Sequence, residues 1–490
     1  MKQGEGNFNQ ALWLGISQLS VFAITMLSAA VLSRYFDKTE YGTYKQILYV
    51  YNTMHMVFTV GLPGAFAYFI PRMNPSQQKF LINGLNRLFL LLGLVFSICI
   101  FILSGPISRL LNNPELATGL KLFSPVPLFT LPTMGVEGIY TALKKTKSIA
   151  YYNVFSKVMM LLCIVLPVVL FKSSYKVAII GWGCAAFAIF LLAMYMKNKP
   201  YVEVKKEIVP NMYKAVFGYS LPMLGAAVAG FFIVMADQLF VSRYYGTETF
   251  AVYSNGCLSV PIIGMVATSV KQVLLPIFSK ADSEGSLKES IGVYNNAVNK
   301  TVIIIYPILL FCFFFAREVM AFFYGEQYGD SGLYWQCHML RDFMDVFPYY
   351  SVLLAIAATK IYMFAHIGVA VFTYIIDFIL VTFGCPPFTI VITSSILAIL
   401  LRVMCFIHIY RKTKINLFTR QIIQNTVKIT IHCSICLILL VLLKNYFFNT
   451  LYPLVILVVA GIMYYVLIIL TGRVIKVDYL ESLWLFLKKK

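Results

Sequence analysis

Lys45, Asn52, His55 and Thr59 recur at steps of seven, three and four inside an otherwise apolar stretch. That spacing places them near one face of a single helix. A cation flanked by hydrogen-bond donors suits a phosphate or a sugar, and the same stripe also suits bonding between packed helices. Farther on, Gly264, Thr268 and Lys271 share a face, and Lys157 stands among apolar residues about 12 Å along its helix from the nearer end. Lys157 fits either an anionic ligand or a pairing with Glu137. A second stripe runs through Tyr334, His338, Arg341, Asp345 and Tyr349, in which Arg341 and Asp345, four apart, can pair on one helix. Asp377 and Arg402 are expected to pair with each other, and Asp237 lies at the depth of Asn255 and Arg341. A charge at bilayer depth costs at least about 2.5–3.5 kcal/mol on insertion scales, so each should face a cavity or a partner.

None of this belongs to a recognisable enzyme. The chain has no Walker loop, no H-E-x-x-H, no closed Cys/His set and no Gly-x-Ser-x-Gly, so no cofactor and no metal are expected. Gly61-Leu62-Pro63-Gly64 reads as a helix break rather than a phosphate cradle. Cys433 and Cys436 form a C-x-x-C inside a hydrophobic run without a partner pair, which points to core packing.

The elements that position these residues follow from composition. Of 490 residues, 60% are hydrophobic and 12% charged, with a mean hydropathy of +0.80. Soluble domains are about 25% charged, so this chain cannot cover a water-facing surface and reads as an integral membrane protein. Its apolar segments are too long for barrel strands. The fold class is therefore all-α and polytopic, with fourteen spans near 9–33, 44–70, 83–104, 118–143, 149–171, 176–196, 213–243, 248–279, 297–316, 331–360, 364–384, 388–410, 421–443 and 451–472. These are numbered 1 to 14 below. The net charge of +20 does not imply nucleic acid. Lys and Arg of membrane proteins gather in cytoplasmic loops and near lipid headgroups. With the N-terminus inside, cytoplasmic basic residues outnumber those outside roughly three to one, so both termini are expected inside. Met1–Gln10 has no signal-peptide core, and 473–490 reads as an amphipathic tail on the membrane surface.

The chain also repeats itself. Ser33-Arg34-Tyr35 with Tyr44 matches Ser242-Arg243-Tyr244 with Tyr253 at one constant offset. Each stretch closes one apolar segment and opens the next, joining spans 1 and 2 and spans 7 and 8. An even number of spans per repeat makes the halves parallel. The expected organisation is an N-lobe at 1–200, a linker at 201–212, a C-lobe at 213–411, spans 13 and 14 at 412–472, and the tail. Prolines at 125, 127, 132, 222, 261, 276, 307 and 348 are expected to bend spans.

The 6+6+2 arrangement, the Ser33–Tyr44 turn and the Asp237-Gln238-Leu239-Phe240-Val241-Ser242-Arg243 close of span 7 resemble the MOP flippase superfamily, and within it the Wzx-type O-antigen and capsule flippases. The resemblance covers essentially the whole chain. It implies two six-helix lobes forming a V around a central cavity open alternately to either side. It implies a polyprenyl-diphosphate-linked oligosaccharide as cargo, moved from the cytoplasmic to the periplasmic leaflet of the bacterial inner membrane. Its implied partners are membrane lipids, H+ or Na+, and polysaccharide assembly proteins. Asp237, where the family often carries an acid, becomes a candidate for ion coupling, the alternative being neutralisation of an arginine. Lys157 and Lys271, with Arg72, would attract the diphosphate; Lys45, Asn52, His55, Arg341 and Asp345 would line the cavity; Arg34 and Arg243 would face each other at the outer gate. Two alternatives stay open: a cation-coupled small-molecule exporter resembling the MATE branch, and a membrane glycan polymerase or ligase. Fourteen spans and the basic excess weigh against the first, and the short outer loops weigh against the second.

Overall fold

In the computed structural model, which describes residues 2–171, 173–356, 358–448, 451–475 and 477–479, short polar residues start the early spans. Asp37 accepts from the Glu40 amide and opens Lys38–Phe58. Asn74 accepts from Gln77, and Asn113 from Glu115, each followed by a proline in the first turn of Pro75–Leu110 and Pro114–Phe123. A side-chain acceptor before a proline uses the amides that a helix start leaves unpaired.

Every regular element among the described residues is a helix. Nine of them are long and apolar enough to cross a membrane, and ten with the bent pair Lys38–Phe58 and Pro63–Arg72. Span 7 is one helix, Met212–Tyr244. Spans 4, 8 and 10 are broken into shorter pieces. The fourteen expected spans thus each correspond to one helix or one interrupted helix. The interrupted ones are the second and fourth of each repeat, although the breaks sit at different depths. Span 3 shows why the bundle suits lipid. Leu81, Leu85, Phe89, Gly93, Phe96, Ile100, Ser104 and Ser108 form a buried stripe, while its exposed face carries Leu91, Leu94, Ile98, Phe101 and Ile102. A helix apolar on both faces belongs in a bilayer.

Each break frees backbone groups that lipid cannot satisfy. Neighbouring side chains satisfy them instead. In span 4, Pro125, Pro127 and Pro132 divide the chain into Pro114–Phe123, Val126–Thr130 and Val136–Ala142. The Leu128 amide donates to Ser97 Oγ at 3.2 Å, and the Pro132 carbonyl accepts from Lys197 Nζ at 2.7 Å. In span 8, Trp335 Nε1 donates to the Leu258 carbonyl at 2.8 Å, in the gap before Pro261. In span 10, the Tyr306 hydroxyl donates to the Phe343 carbonyl at 3.1 Å, ahead of Pro348. Span 2 breaks at Gly61, whose φ of +68° disfavours other residues. A Cβ there would also lie 2.6 Å from the Ser220 carbonyl oxygen of span 7.

The helices form two compact units, Met1–Ala251 and Val252–Lys490. Packing therefore groups span 7 with the first six spans, whereas the sequence repeat leads to an expected division at the 201–212 linker. The largest fully buried side chains include Phe66, Phe89, Phe96 and Phe123 in the first unit, and Trp335, Tyr294, Tyr328 and Tyr464 in the second. The amphipathic tail expected at 473–490 lies, beyond Tyr479, outside the described residues.

Candidate functional site

At one end of the first unit the two repeated turns meet. Thr39 Oγ1 donates to Glu248 Oε1 at 3.2 Å, and these residues stand at equivalent places in the two repeats. Deeper in, Gln46 Nε2 donates to Ser242 Oγ at 2.8 Å, and Asn113 Nδ2 donates to Gln46 Oε1 at 2.6 Å and Thr43 Oγ1 at 2.9 Å. All four residues are buried. The network joins span 2, the start of span 4 and the end of span 7, and buried polar groups satisfied in this way rigidify a contact. Of the two arginines expected at the gate, Arg243 donates to the Leu110 carbonyl at 2.6 Å and Arg34 to Ala30 of its own helix at 2.9 Å. Thr39–Glu248 and Gln46–Ser242 are among the contacts that join the turns. Close by, Glu115 accepts from the Tyr175 hydroxyl at 3.0 Å and lies 3.3 Å from Lys176 Nζ. The Tyr175 hydroxyl, and then the Lys176 ammonium, hold its carboxyl below the usual carboxylate range.

In the middle of this unit, Lys45, Asn52 and His55 do share the helix Lys38–Phe58. Lys45 Nζ lies 5.1 Å over the Tyr41 ring, Asn52 is exposed, and His55 Nε2 is buried without a hydrogen-bond partner among the described residues. Around them, Tyr51 donates to Thr130 at 2.9 Å, Trp182 donates to Tyr44 at 3.0 Å, and Tyr51 stacks on Phe96. Lys157 does not pair with Glu137. That carboxylate accepts from Asn153 at 2.7 Å, and the polar atom at Lys157 Nζ is Met160 Sδ at 3.9 Å. Asp237 is buried, 2% exposed.

The opposite end of the unit holds groups that sequence reasoning missed. Lys197, read from sequence as a loop cation, is fully buried. Its Nζ donates to Asn86 Oδ1 at 2.9 Å as well as to Pro132 O, and lies 5.1 Å and 5.7 Å over Phe66 and Phe89. The available signal was Pro200, the first residue able to stop span 6. The helix accordingly runs on to Asn198. Nearby, Tyr68 stacks on Tyr219 at 4.2 Å, with the Arg72 guanidinium 3.8 Å over Tyr68.

In the second unit the acidic and basic residues sort differently from the expected pairs. Arg402 does not reach Asp377; its Nε and Nη2 both donate to Asp345 Oδ1, at 3.0 Å and 2.6 Å. Asp345 is thereby taken from Arg341, which makes no ion pair or side-chain hydrogen bond among the described residues. Lys271 Nζ likewise has no partner among them, although its carbonyl accepts from Ser351 at 3.2 Å. His338 meets Cys257 Sγ at 3.3 Å. An apolar cavity of about 490 Å³ opens between spans 9, 10 and 13, lined by Tyr306, Phe313, Phe343, Thr430 and their neighbours. No cluster of three or more His, Cys, Asp or Glu residues able to hold a metal occurs among the described residues.

Each unit thus holds half-buried cations in apolar helices that make no ion pair among the described residues, Lys157 in the first and Lys271 and Arg341 in the second. Chemically such cations can attract an anion. Residues 31–332 match a family model described as polysaccharide biosynthesis protein. The chain is 22% identical over 326 residues to the succinoglycan biosynthesis transport protein ExoT of Rhizobium meliloti (strain 1021), covering 65% of this chain and 62% of that relative. It is 23% identical over 297 residues to a membrane protein of Methanocaldococcus jannaschii without assigned function, covering 58% of this chain and 69% of that one. In fold it is similar to the lipid II flippase MurJ in an inward closed conformation, with a TM-score of 0.72, 16% identity, and 95% of this chain and 100% of that chain covered. An inward-facing MATE-family multidrug resistance transporter of the MOP superfamily follows at a TM-score of 0.59 and 13% identity, over 83% of this chain and 94% of that one.

Proposed function

Given that this chain belongs to the polysaccharide biosynthesis protein family and is built on the MOP-superfamily transporter fold, we propose that it is a flippase for a polyprenyl-diphosphate-linked oligosaccharide. It carries that cargo across the bacterial cytoplasmic membrane by alternating access, from the inner leaflet outward, with both termini inside. The observation that carries this reading is the set of half-buried cations that make no ion pair among the described residues, Lys157, Lys271 and Arg341. A cation at bilayer depth needs a counter-charge. Among the described residues Lys157 and Lys271 have none, and Arg341 has only its chain neighbour Asp342, so the cargo supplies it.

The roles divide by chemistry. Lys157 and Lys271 attract the diphosphate from the cytoplasmic side, since phosphate oxygens take charge-assisted hydrogen bonds. Asn52, His55 and the tyrosines of spans 2 and 10 meet sugar hydroxyls. The apolar cavity between spans 9, 10 and 13 suits a stretch of isoprenoid chain, which needs dry apolar walls. Arg34 and Arg243 belong to an outer gate closed by the Thr39–Glu248 and Gln46–Ser242 contacts. Asp237, buried in span 7, couples the cycle to H+ or Na+. Assembly proteins of the same polysaccharide are the natural receivers of the cargo.

The test is export complementation in cells that need a flippase. Lys157→Ala and Lys271→Ala are each expected to lower export, and the double variant to abolish it, at normal protein level. Full export by all three would remove the cation assignment. The resemblance in fold to MATE transporters keeps one competitor, a cation-coupled small-molecule exporter. Drug-resistance profiling separates the two, because the flippase reading predicts no gain in resistance.

A further inference from the structure

Span 11, Thr359–Thr382, turns Phe364, Ile367, Val371 and Phe378 outward as a lipid face. Its opposite side carries Thr373 and Asp377, both fully buried, and then Tyr362 and His366, which are only half-buried. Span 12 is arranged alike. Arg402 shares the inner side of Pro387–Thr413 with buried Ala398, Cys405 and Ile409 and is itself half-buried. Polar groups that keep some exposure on the side turned from lipid face a cleft within the second unit.

Three rings meet in that cleft. Tyr362 contacts Tyr350 of span 10 with centroids 5.1 Å apart and His366 at 4.0 Å. Tyr350 and His366 stack on no other ring among the described residues, and both are half-exposed, so each keeps ring surface open. The His366 Nδ1 lies 2.8 Å from the Tyr362 carbonyl. A carbonyl only accepts, so Nδ1 carries the proton, and Nε2 of the neutral ring is an acceptor.

Arg402 and Asp345 lie within electrostatic reach of Tyr362, and Arg402 within reach of His366. Arg402 gives Nε and Nη2 protons to Asp345 Oδ1 and an Nη1 proton to the Ala398 carbonyl. A guanidinium has donors beyond those three, one on each terminal nitrogen. The Asp345 side chain is 35% exposed and keeps Oδ2 as an acceptor. Asp342 adds a second carboxylate within reach of Arg341, Asp345 and Arg402, with no ion pair or side-chain hydrogen bond among the described residues. The two arginines and two aspartates cancel. A phosphate site would leave an excess of cations, and a site for a metal ion or an amine an excess of acids. Matched donors and acceptors beside open ring surface suit a neutral sugar. The C–H face of a pyranose lies on a ring, and neighbouring hydroxyls each give and take a hydrogen bond.

We propose that Tyr350, Tyr362 and His366, with the Arg402–Asp345 pair beside them, form a subsite for one neutral pyranose ring of the cargo's glycan. The identification of the sugar as cargo rests on the proposed function; the subsite's chemistry does not. The phosphate-attracting lysines and the sugar-reading cluster are then separate sets of residues, and the sugar subsite takes no phosphate.

The experiment uses the full chain in detergent and saturation-transfer difference NMR. The probe is the oligosaccharide released by mild acid from the lipid-linked pool of cells that make this chain, so it carries no diphosphate. The wild-type protein is expected to bind it, with saturation concentrated on the ring protons of one sugar. Tyr362→Leu, Tyr350→Ala and His366→Leu should each raise Kd roughly twofold to tenfold, the shift of one lost aromatic contact. Tyr362→Phe and Tyr350→Phe, which keep the rings, should bind as wild type does. Inorganic pyrophosphate should leave binding unchanged. Each variant is compared as its monodisperse peak. If Tyr362→Leu does not fold, Tyr350→Ala decides, since Tyr350 is at an open end of the ring cluster. No binding by wild type, equal binding by the ring-deleting variants, or displacement by pyrophosphate overturns the subsite. Failure here with export still sensitive to Lys157 and Lys271 removes the subsite and leaves the flippase. Ring-dependent binding with export indifferent to those lysines keeps the subsite and removes the cation assignment.

Discussion

Replacing Lys197 tests how span 4 tolerates its own breaks. The ammonium is fully buried and sits among Asn86, the Pro132 carbonyl and the faces of Phe66 and Phe89, with no carboxylate of the described residues within ion-pair distance. Lys197→Met keeps most of the aliphatic volume and removes the charge. Two acceptors, Asn86 Oδ1 and Pro132 O, then lose their donor. Each buried orphan costs about 1–3 kcal/mol, so the loss before any recovery is about 2–6 kcal/mol. Removing the ammonium recovers part of its desolvation cost, and the net expectation is a loss of about 2–4 kcal/mol. Lys197→Ala should lose more, because it adds a cavity to the same orphans. Adding Asn86→Leu to Lys197→Met removes one orphan and should recover about 1–2 kcal/mol, a coupling that the double-mutant cycle isolates. The assay is the temperature at which half the protein leaves the monodisperse peak after heating in detergent, which suits irreversible unfolding. Lys197→Met with wild-type stability would refute the tether, and additive effects of Lys197→Met and Asn86→Leu would refute the shared contact.

Three further outcomes are expected. Lys444 and Glu318 form an ion pair with side chains 17% and 11% exposed. Either single alanine should therefore cost about 3–5 kcal/mol in the same heating assay, and Lys444→Met with Glu318→Leu should recover most of it. Gly61→Ala should block folding or export outright, because φ is +68° there and the new Cβ would lie 2.6 Å from the Ser220 carbonyl oxygen; export at normal level would contradict it. Glu115, its carboxyl held below the usual range by Tyr175 and Lys176, contributes stability that is present above the unfolded carboxylate pKa and lost as pH falls through the lower folded value. Glu115→Gln should therefore lower stability near pH 7 and match wild type in strong acid, as read from midpoints over a pH series.

Much of the fold was legible because membrane helices announce themselves by length and hydropathy, and prolines mark where they break. Each of the fourteen apolar segments corresponds to one helix or one interrupted helix, and Asn74-Pro75 and Asn113-Pro114 start spans where cap chemistry predicts. The site was less legible, since its contacts join residues far apart in the chain. Lys197 looked like a loop charge because it opens a basic run, and nothing local shows that the span 4 break frees a carbonyl beside it. Arg402 had two acids at suitable depth, Asp345 and Asp377, and spacing alone does not choose between them. Tyr68 and Tyr219 each read as an ordinary aromatic until the break at Gly61 brings spans 2 and 7 together. The repeated turns were visible as a string, but the contacts of Thr39 with Glu248 and of Gln46 with Ser242 were not.

The central claim is that the cargo supplies the negative charge that no described residue places beside Lys157 and Lys271. It is tested most directly by reconstituting the purified protein in liposomes that carry a labelled polyprenyl-diphosphate oligosaccharide. The fraction of sugar open to a membrane-impermeant oxidant is then followed with time. The account predicts that the protected half becomes accessible with the wild-type protein and stays protected with the Lys157→Ala, Lys271→Ala double variant. Transfer no faster than in protein-free liposomes, or equal transfer by the double variant, would contradict it.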